Sequence, residues 1–82
     1  MEKIREQAFL NVEDEQYFVS TVNVSDMYYE TMIFDCCDEI VNYSCEHYCE
    51  RYKTKQEALE GHLKIIKNIH GYIKNYKGSW LI

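Results

Sequence analysis

Three residues in one short stretch, Cys45, His47 and Cys49, carry side chains that commonly bind metal ions. Thiolate and imidazole are frequent zinc ligands. Alternate residues of a flat strand are about 6.5–7 Å apart, whereas all ligand atoms of a tetrahedral site lie within about 2.0–2.3 Å of the zinc ion. This spacing argues against a standard zinc site, and zinc binding by these three residues is kept as one hypothesis. The alternative is that the cysteines are free thiols that pack as small apolar side chains.

His62 is the second candidate for a chemical role, because it falls within the apolar arc of a predicted helix. A buried polar group without a partner costs about 1–3 kcal/mol, so His62 should form a hydrogen bond to Ser20, Thr31 or a tyrosine hydroxyl. One interpretation is a core histidine that fixes the position of the helix. The other is an acid–base pair with Glu30, although no nucleophile in the sequence indicates a substrate site.

Positive and aromatic side chains could together hold a small anionic ligand, with rings stacking on a nucleotide base and cations meeting its phosphate. Together with the contacts considered for His62, this hypothesis gives the following predicted binding residues: Glu30, Thr31, Arg51, Tyr52, His62, Lys64 and Lys67. The sequence contains no glycine-rich phosphate loop, Walker-type motif or Ser/His/Asp arrangement. We therefore expect no cofactor and no enzymatic activity.

Charge is unevenly distributed along the chain, whose net charge is −5. Residues 1–50 contain two basic and twelve acidic side chains, and residues 51–82 contain seven basic and two acidic ones. An acidic protein gains little from the counterion release that drives DNA binding, so we expect no direct nucleic-acid binding. The acidic half suits a partner with a basic surface. It could also form a face that mimics nucleic-acid phosphates. The alternative is that these residues are ordinary solubility charge.

The length of 82 residues limits the chain to one small domain with a thin core. It contains no apolar run long enough to span a membrane, and its first residues lack the apolar segment of a secretory signal. These features predict a cytoplasmic protein with reduced cysteines. A thin core, an exposed sheet edge and the apolar residues 80–82 also favour a homodimer.

The segment 17–52 is predicted to form strands. Its β-branched and aromatic residues favour strands over Tyr17–Val24, Met27–Asp35 and Ile40–Tyr52. Ser25 and Asp26 form the first turn, and residues 35–39 are predicted to be a polar loop. For the strand Ile40–Tyr52, the residue types do not show which face is buried.

The two ends of the chain are less regular. Residues 1–16 are predicted to be a variable N-terminal extension, in which residues 1–10 form a short helix or Ala8–Val12 a brief fourth strand. Residues 54–77 are predicted to form a helix, because a Thr54–Glu57 capping box precedes apolar residues at helical spacing. Gly78 would end it, leaving an apolar tail at 78–82.

These elements predict an α+β fold: an antiparallel sheet of three, and at most four, strands with one C-terminal helix packed on one face. The helix would direct His62 toward the sheet. The central strand would be the second of the segment 17–52, since both of its faces carry large groups.

Three blocks of the sequence, Ser20–Val22, Glu30–Phe34 and Glu50–Thr54 followed by Gly61–His62, resemble a family of small uncharacterised phage and prophage proteins with the pattern STV…ETM(V/I)F…RYxTxxEAxxGH. The resemblance implies a phage or prophage origin and an accessory role in the host cytoplasm. The first functional hypothesis is a non-enzymatic protein that binds or inhibits a host component, such as a defence protein. The alternatives are a nucleotide-sequestering protein and a small zinc-binding protein.

Overall fold

The computed structural model describes residues 2–73. Four strands, β1 (Arg5–Val12), β2 (Glu15–Val24), β3 (Tyr28–Cys37) and β4 (Ile40–Tyr52), precede helix α1 (Lys55–Lys67). The strands form one antiparallel sheet in the order β1-β2-β3-β4. The predicted α+β class is therefore confirmed, with four strands.

Strand β1 shows that part of the predicted N-terminal extension belongs to the sheet. Its register with β2 pairs Ala8 with Val19 and Leu10 with Tyr17. Ala8, Leu10 and Val12 are partly buried and alternate with exposed neighbours, which is the period of a half-buried strand. The short-helix interpretation of residues 1–10 is wrong, and the fourth-strand alternative is correct but longer than predicted.

The connection between β3 and β4 is tighter than the sequence suggests. Asp35, Cys36 and Cys37 continue β3, so the predicted loop over 35–39 shrinks to the two residues Asp38 and Glu39. Both have positive φ, 51° and 64°, as in the two-residue turns whose twist matches that of a hairpin. Short polar residues favoured the interpretation as a loop, but strand pairing continues through them to Cys37, opposite Ile40.

Helix α1 begins at the predicted cap. Thr54 Oγ1 accepts a hydrogen bond from the Glu57 backbone N–H at 3.1 Å, and the same hydroxyl lies 3.0 Å from the Glu57 carboxylate. The helix ends at Lys67, and after Asn68 a short helical segment covers residues 69–73. The predicted continuation to residue 77, the stop at Gly78 and the tail 78–82 lie outside the described residues. No helix in the described part is long and apolar enough to cross a membrane.

The core lies between α1 and one face of the sheet, which we call the helix face. Alternation places Tyr17, Val19 and Ile33 on this face, where Ile65 of the helix packs against them. Gly61 lets the helix approach β4 closely, because a β-carbon there would lie only 2.6 Å from ring carbons of Tyr52. Helix α1 thus covers one face of the sheet and fixes which residues remain on the other.

Candidate functional site

Strand β4 departs from regular pairing at the point where the metal-binding residue types occur. Ile33 pairs with Tyr48, Phe34 with Glu46 and Asp35 with Asn42, so β4 carries extra residues opposite two steps of β3. Extra residues bend a strand and redirect its side chains. This irregularity rotates Cys45 and His47 toward Asp35 on the helix face.

Asp35, Cys45 and His47, here called the Asp35 cluster, have ligand atoms that all lie within 4.8 Å of one another. Cys45 Sγ is 2.8 Å from Asp35 Oδ2 and 3.9 Å from His47 Nε2. His47 Nε2 also contacts Asp35 Oδ1. His47 is buried, whereas Cys45 and Asp35 are half-buried.

The surroundings of the Asp35 cluster hold it in place. The Tyr17 ring meets the His47 ring edge-on, with centroids 5.3 Å apart. Tyr17 donates a hydrogen bond to Glu15 Oε2 at 2.6 Å. Burial, followed by the nearby carboxylates and Cys45, raises the pKa of Tyr17, so its hydroxyl stays protonated as a donor.

The predicted zinc ligands were Cys45, His47 and Cys49, and the structure does not bring Cys49 together with the other two. Cys49 pairs with Met32 on the opposite face of the sheet, where its thiol donates to Glu30 Oε2 at 3.3 Å. Regular alternation would have kept all three on one side, and the extra residues in β4 separate them. Asp35 takes the third place, which the sequence could not indicate because it depends on the register of β3 against β4.

The face opposite the helix carries a row of four rings across all four strands, here called the aromatic row: Phe9, Phe18, Phe34 and Tyr43. Phe18 is directly opposite both Phe9 and Phe34 in the register. Ring centroids are 5.1 Å apart in the Phe9–Phe18 pair and in the Phe34–Tyr43 pair. The two inner rings are buried, but Phe9 is 41% and Tyr43 68% exposed. Within residues 2–73, no element packs over this face.

Arg51, one of the predicted ligand-binding residues, lies on the same face as the aromatic row. Its Nε donates to Glu30 Oε2 at 3.0 Å, and its guanidinium lies 4.7 Å from the centre of the Tyr28 ring. The hydrogen bond to Glu30, the largest cause, raises the pKa of Arg51. Glu30 and Arg51 therefore form a charged border at one side of this face.

His62 is buried beneath the helix, as the core interpretation predicts. Its Nδ1 is 2.7 Å from Thr21 Oγ1, which is also 2.5 Å from Thr31 Oγ1. Thr31 was a predicted partner, but the direct contact is with Thr21, which alternation along β2 would have identified. Ser20 and Glu30 lie on the opposite face, so the proposed acid–base pair of Glu30 with His62 does not form.

The remaining predicted residues are not brought together. Tyr52 lies on the helix face, where its hydroxyl donates to Glu50 Oε2 at 3.3 Å, and burial is the main reason its pKa rises to about 12. Lys64 and Lys67 are exposed on the last turn of α1, which suits the negative end of the helix dipole. Arg51 is thus separated from both lysines by the sheet.

The chain was compared with known proteins at the level of sequence family, curated sequence and three-dimensional fold. No family model, curated protein or solved structure matches it. The resemblance to small phage proteins stays a prediction from the three sequence blocks. Two features of residues 2–73 bear on function, the Asp35 cluster and the aromatic row.

Proposed function

We propose that this chain is a non-enzymatic binding protein that recognises a protein partner through the sheet face bearing the aromatic row. The observation that carries the proposal is the row itself, whose outer rings Phe9 and Tyr43 are exposed. Aromatic side chains and arginine dominate the energetic centres of protein interfaces because they bury large areas at low entropic cost. The inner rings, already packed by their neighbours, would supply a rigid base for such a contact.

The size of this face favours a protein rather than a small molecule as the partner. The fold measures 37 × 29 × 23 Å, so its broad side is comparable with the roughly 800 Å² that each partner buries in a standard interface. The register places two acidic side chains, Glu30 and the exposed Glu46, and two basic ones, Arg5 and Arg51, on this face. A complementary partner presents an apolar patch bordered by charged groups of both signs.

The resemblance to phage and prophage proteins directs the proposal to a component of the host cytoplasm, and binding would act by blocking that component. A defence protein is the kind of target that a small accessory phage protein would block. The nucleotide-binding alternative receives less support, because Arg51 lies on the opposite side of the sheet from Lys64 and Lys67.

The proposal can be tested by placing a photo-crosslinking amino acid at Tyr43, with Leu63 as the matched position. Leu63 is a similarly exposed apolar residue, but it lies on α1 away from the aromatic row. In host cells, we expect a specific host protein to crosslink from position 43 and not from position 63. Crosslinking from position 63 alone, or none from position 43, contradicts the proposal.

The captured protein then allows a quantitative test with purified components. We expect Phe9→Ala and Tyr43→Ala each to weaken its binding at least about tenfold, as for central interface residues, while Leu63→Ala leaves it unchanged. Light scattering of the wild-type chain checks for self-association. A dimer that the same two substitutions disrupt would mean that a second copy, and not a host protein, occupies this face.

A further inference from the structure

We propose that the Asp35 cluster binds one divalent transition-metal ion of the zinc class. This inference is independent of the proposed function, since the cluster lies on the helix face and the aromatic row on the other. It also differs from the sequence hypothesis, because Asp35 replaces Cys49. The ligand set is one carboxylate oxygen, one thiolate and one imidazole nitrogen.

The chemistry of the three donors selects the class of metal. A thiolate and an imidazole bind Zn²⁺ and its neighbours, whereas Mg²⁺ and Ca²⁺ require oxygen ligands. Three protein ligands on a tetrahedral ion leave one position to a water molecule or to a further donor. The ligands come from β3 and from the irregular part of β4, so the metal would join two segments whose regular hydrogen bonding is interrupted.

The distances require only a small rearrangement to accept the ion. Bond lengths of about 2.0–2.3 Å at tetrahedral angles place donor atoms roughly 3.3–3.6 Å apart. Cys45 Sγ and His47 Nε2 are 3.9 Å apart, close to that spacing. Asp35 lies nearer to both, within hydrogen-bonding distance. Its side chain is 40% exposed, so the carboxylate has room to retract.

Neighbouring groups would favour the bound ion. Carboxylates of Glu13, Asp14, Glu15 and Asp38 line the groove that also contains Asp35, and their field attracts cations. Tyr17 packs against the His47 ring and fixes its orientation, the task of outer-shell groups at metal sites. When the ion binds, Cys45 releases its thiol proton to the solvent as the sulfur–metal bond forms.

The test is a titration of the full-length, reduced chain with Co²⁺, followed by displacement with Zn²⁺. We expect one Co²⁺ per chain and a near-ultraviolet thiolate-to-metal charge-transfer band, which Zn²⁺ abolishes. Cys45→Ser removes the band, and Cys49→Ser, the same substitution on the opposite face, retains it. Asp35→Asn weakens binding by more than the roughly 10–100-fold loss typical of a supporting group.

A second measurement needs no substitution and so does not depend on the folding of variants. In nitrogen-detected spectra of the wild-type chain, we expect Zn²⁺ to shift the His47 ring signals at one equivalent, while those of His62 and His70 stay fixed. Unchanged His47 signals overturn the proposal, as does a charge-transfer band that survives in Cys45→Ser or disappears in Cys49→Ser.

Discussion

At the scale of single residues, the hydrogen-bonded chain of Thr31, Thr21 and His62 explains how a histidine occupies the core. An arrangement consistent with the distances has Thr31 donating to Thr21, and Thr21 donating to an unprotonated Nδ1 of His62. Burial lowers the pKa of His62, although the negative charge of Glu6 opposes this shift. The ring is therefore neutral at pH 7 and can accept the hydrogen bond.

The lowered pKa of His62 predicts how stability depends on pH. Below about pH 6.5, the usual histidine pKa, the unfolded chain takes up a proton at this position while the folded chain still resists it. Stability conferred by a neutral His62 is thus present above that pH and lost as pH falls toward the folded-state value. Measured by urea unfolding, the decline in stability between about pH 7.5 and 5.5 should be smaller in His62→Gln.

The same substitution should cost about 1–2 kcal/mol at the higher pH, because the Thr21 hydroxyl loses a well-placed acceptor. The exposed His70 provides the control: His70→Gln should leave both the stability and its pH dependence near those of the wild type. An undiminished pH dependence in His62→Gln would show that the buried histidine is not the group responsible.

At the scale of elements, the turn between β3 and β4 has a strained backbone, because a glutamate occupies a position that favours glycine. Glu39 adopts a positive φ of 64°, which costs a non-glycine residue roughly 1–2 kcal/mol. Aspartate followed by glycine is a preferred pair for such turns. We therefore expect Glu39→Gly to raise the free energy of unfolding by about 0.5–1 kcal/mol, as measured by urea denaturation.

Glu39→Ala is the matched control, because it removes the same side chain but keeps the penalty at positive φ. Both variants preserve the backbone N–H of residue 39, which donates to Gln16 Oε1 at 2.8 Å. Equal stability of the two variants would mean that loss of the glutamate side chain, and not relief of backbone strain, accounts for any gain.

The sequence predicted elements better than it predicted contacts between them. The bounds of β4 and the start of α1 directly after the Thr54 cap follow from local signals, namely residue type and a capping box. The joining of Asp35 to Cys45 and His47 depends on extra residues in β4, and no local pattern encodes a register shift. The aromatic row follows from alternation only once the order and register of four strands are known.

At the scale of the whole molecule, the order of the strands concentrates negative charge at one end. In a four-stranded meander the first and third turns lie at the same end of the sheet, which brings Glu13 and Asp14 near Asp38. The second turn, with Asp26, lies at the other end. Folding therefore assembles like charges that are distant in sequence, and their repulsion opposes the compact state.

This arrangement predicts that Asp14→Asn raises the thermal midpoint at low salt. Relief of a repulsion worth a few tenths of a kcal/mol corresponds to about 1–3 °C in a domain of this size. The gain should shrink between about 0.01 M and 1 M NaCl, as the screening length falls from roughly 30 Å to 3 Å. Asp26→Asn, the same change at the other end, should give little or no gain. The midpoints are measured by calorimetry with a chelator present, which excludes effects of bound metal. An equal gain in both variants would assign the repulsion to the net charge of the protein and not to the acidic end of the sheet.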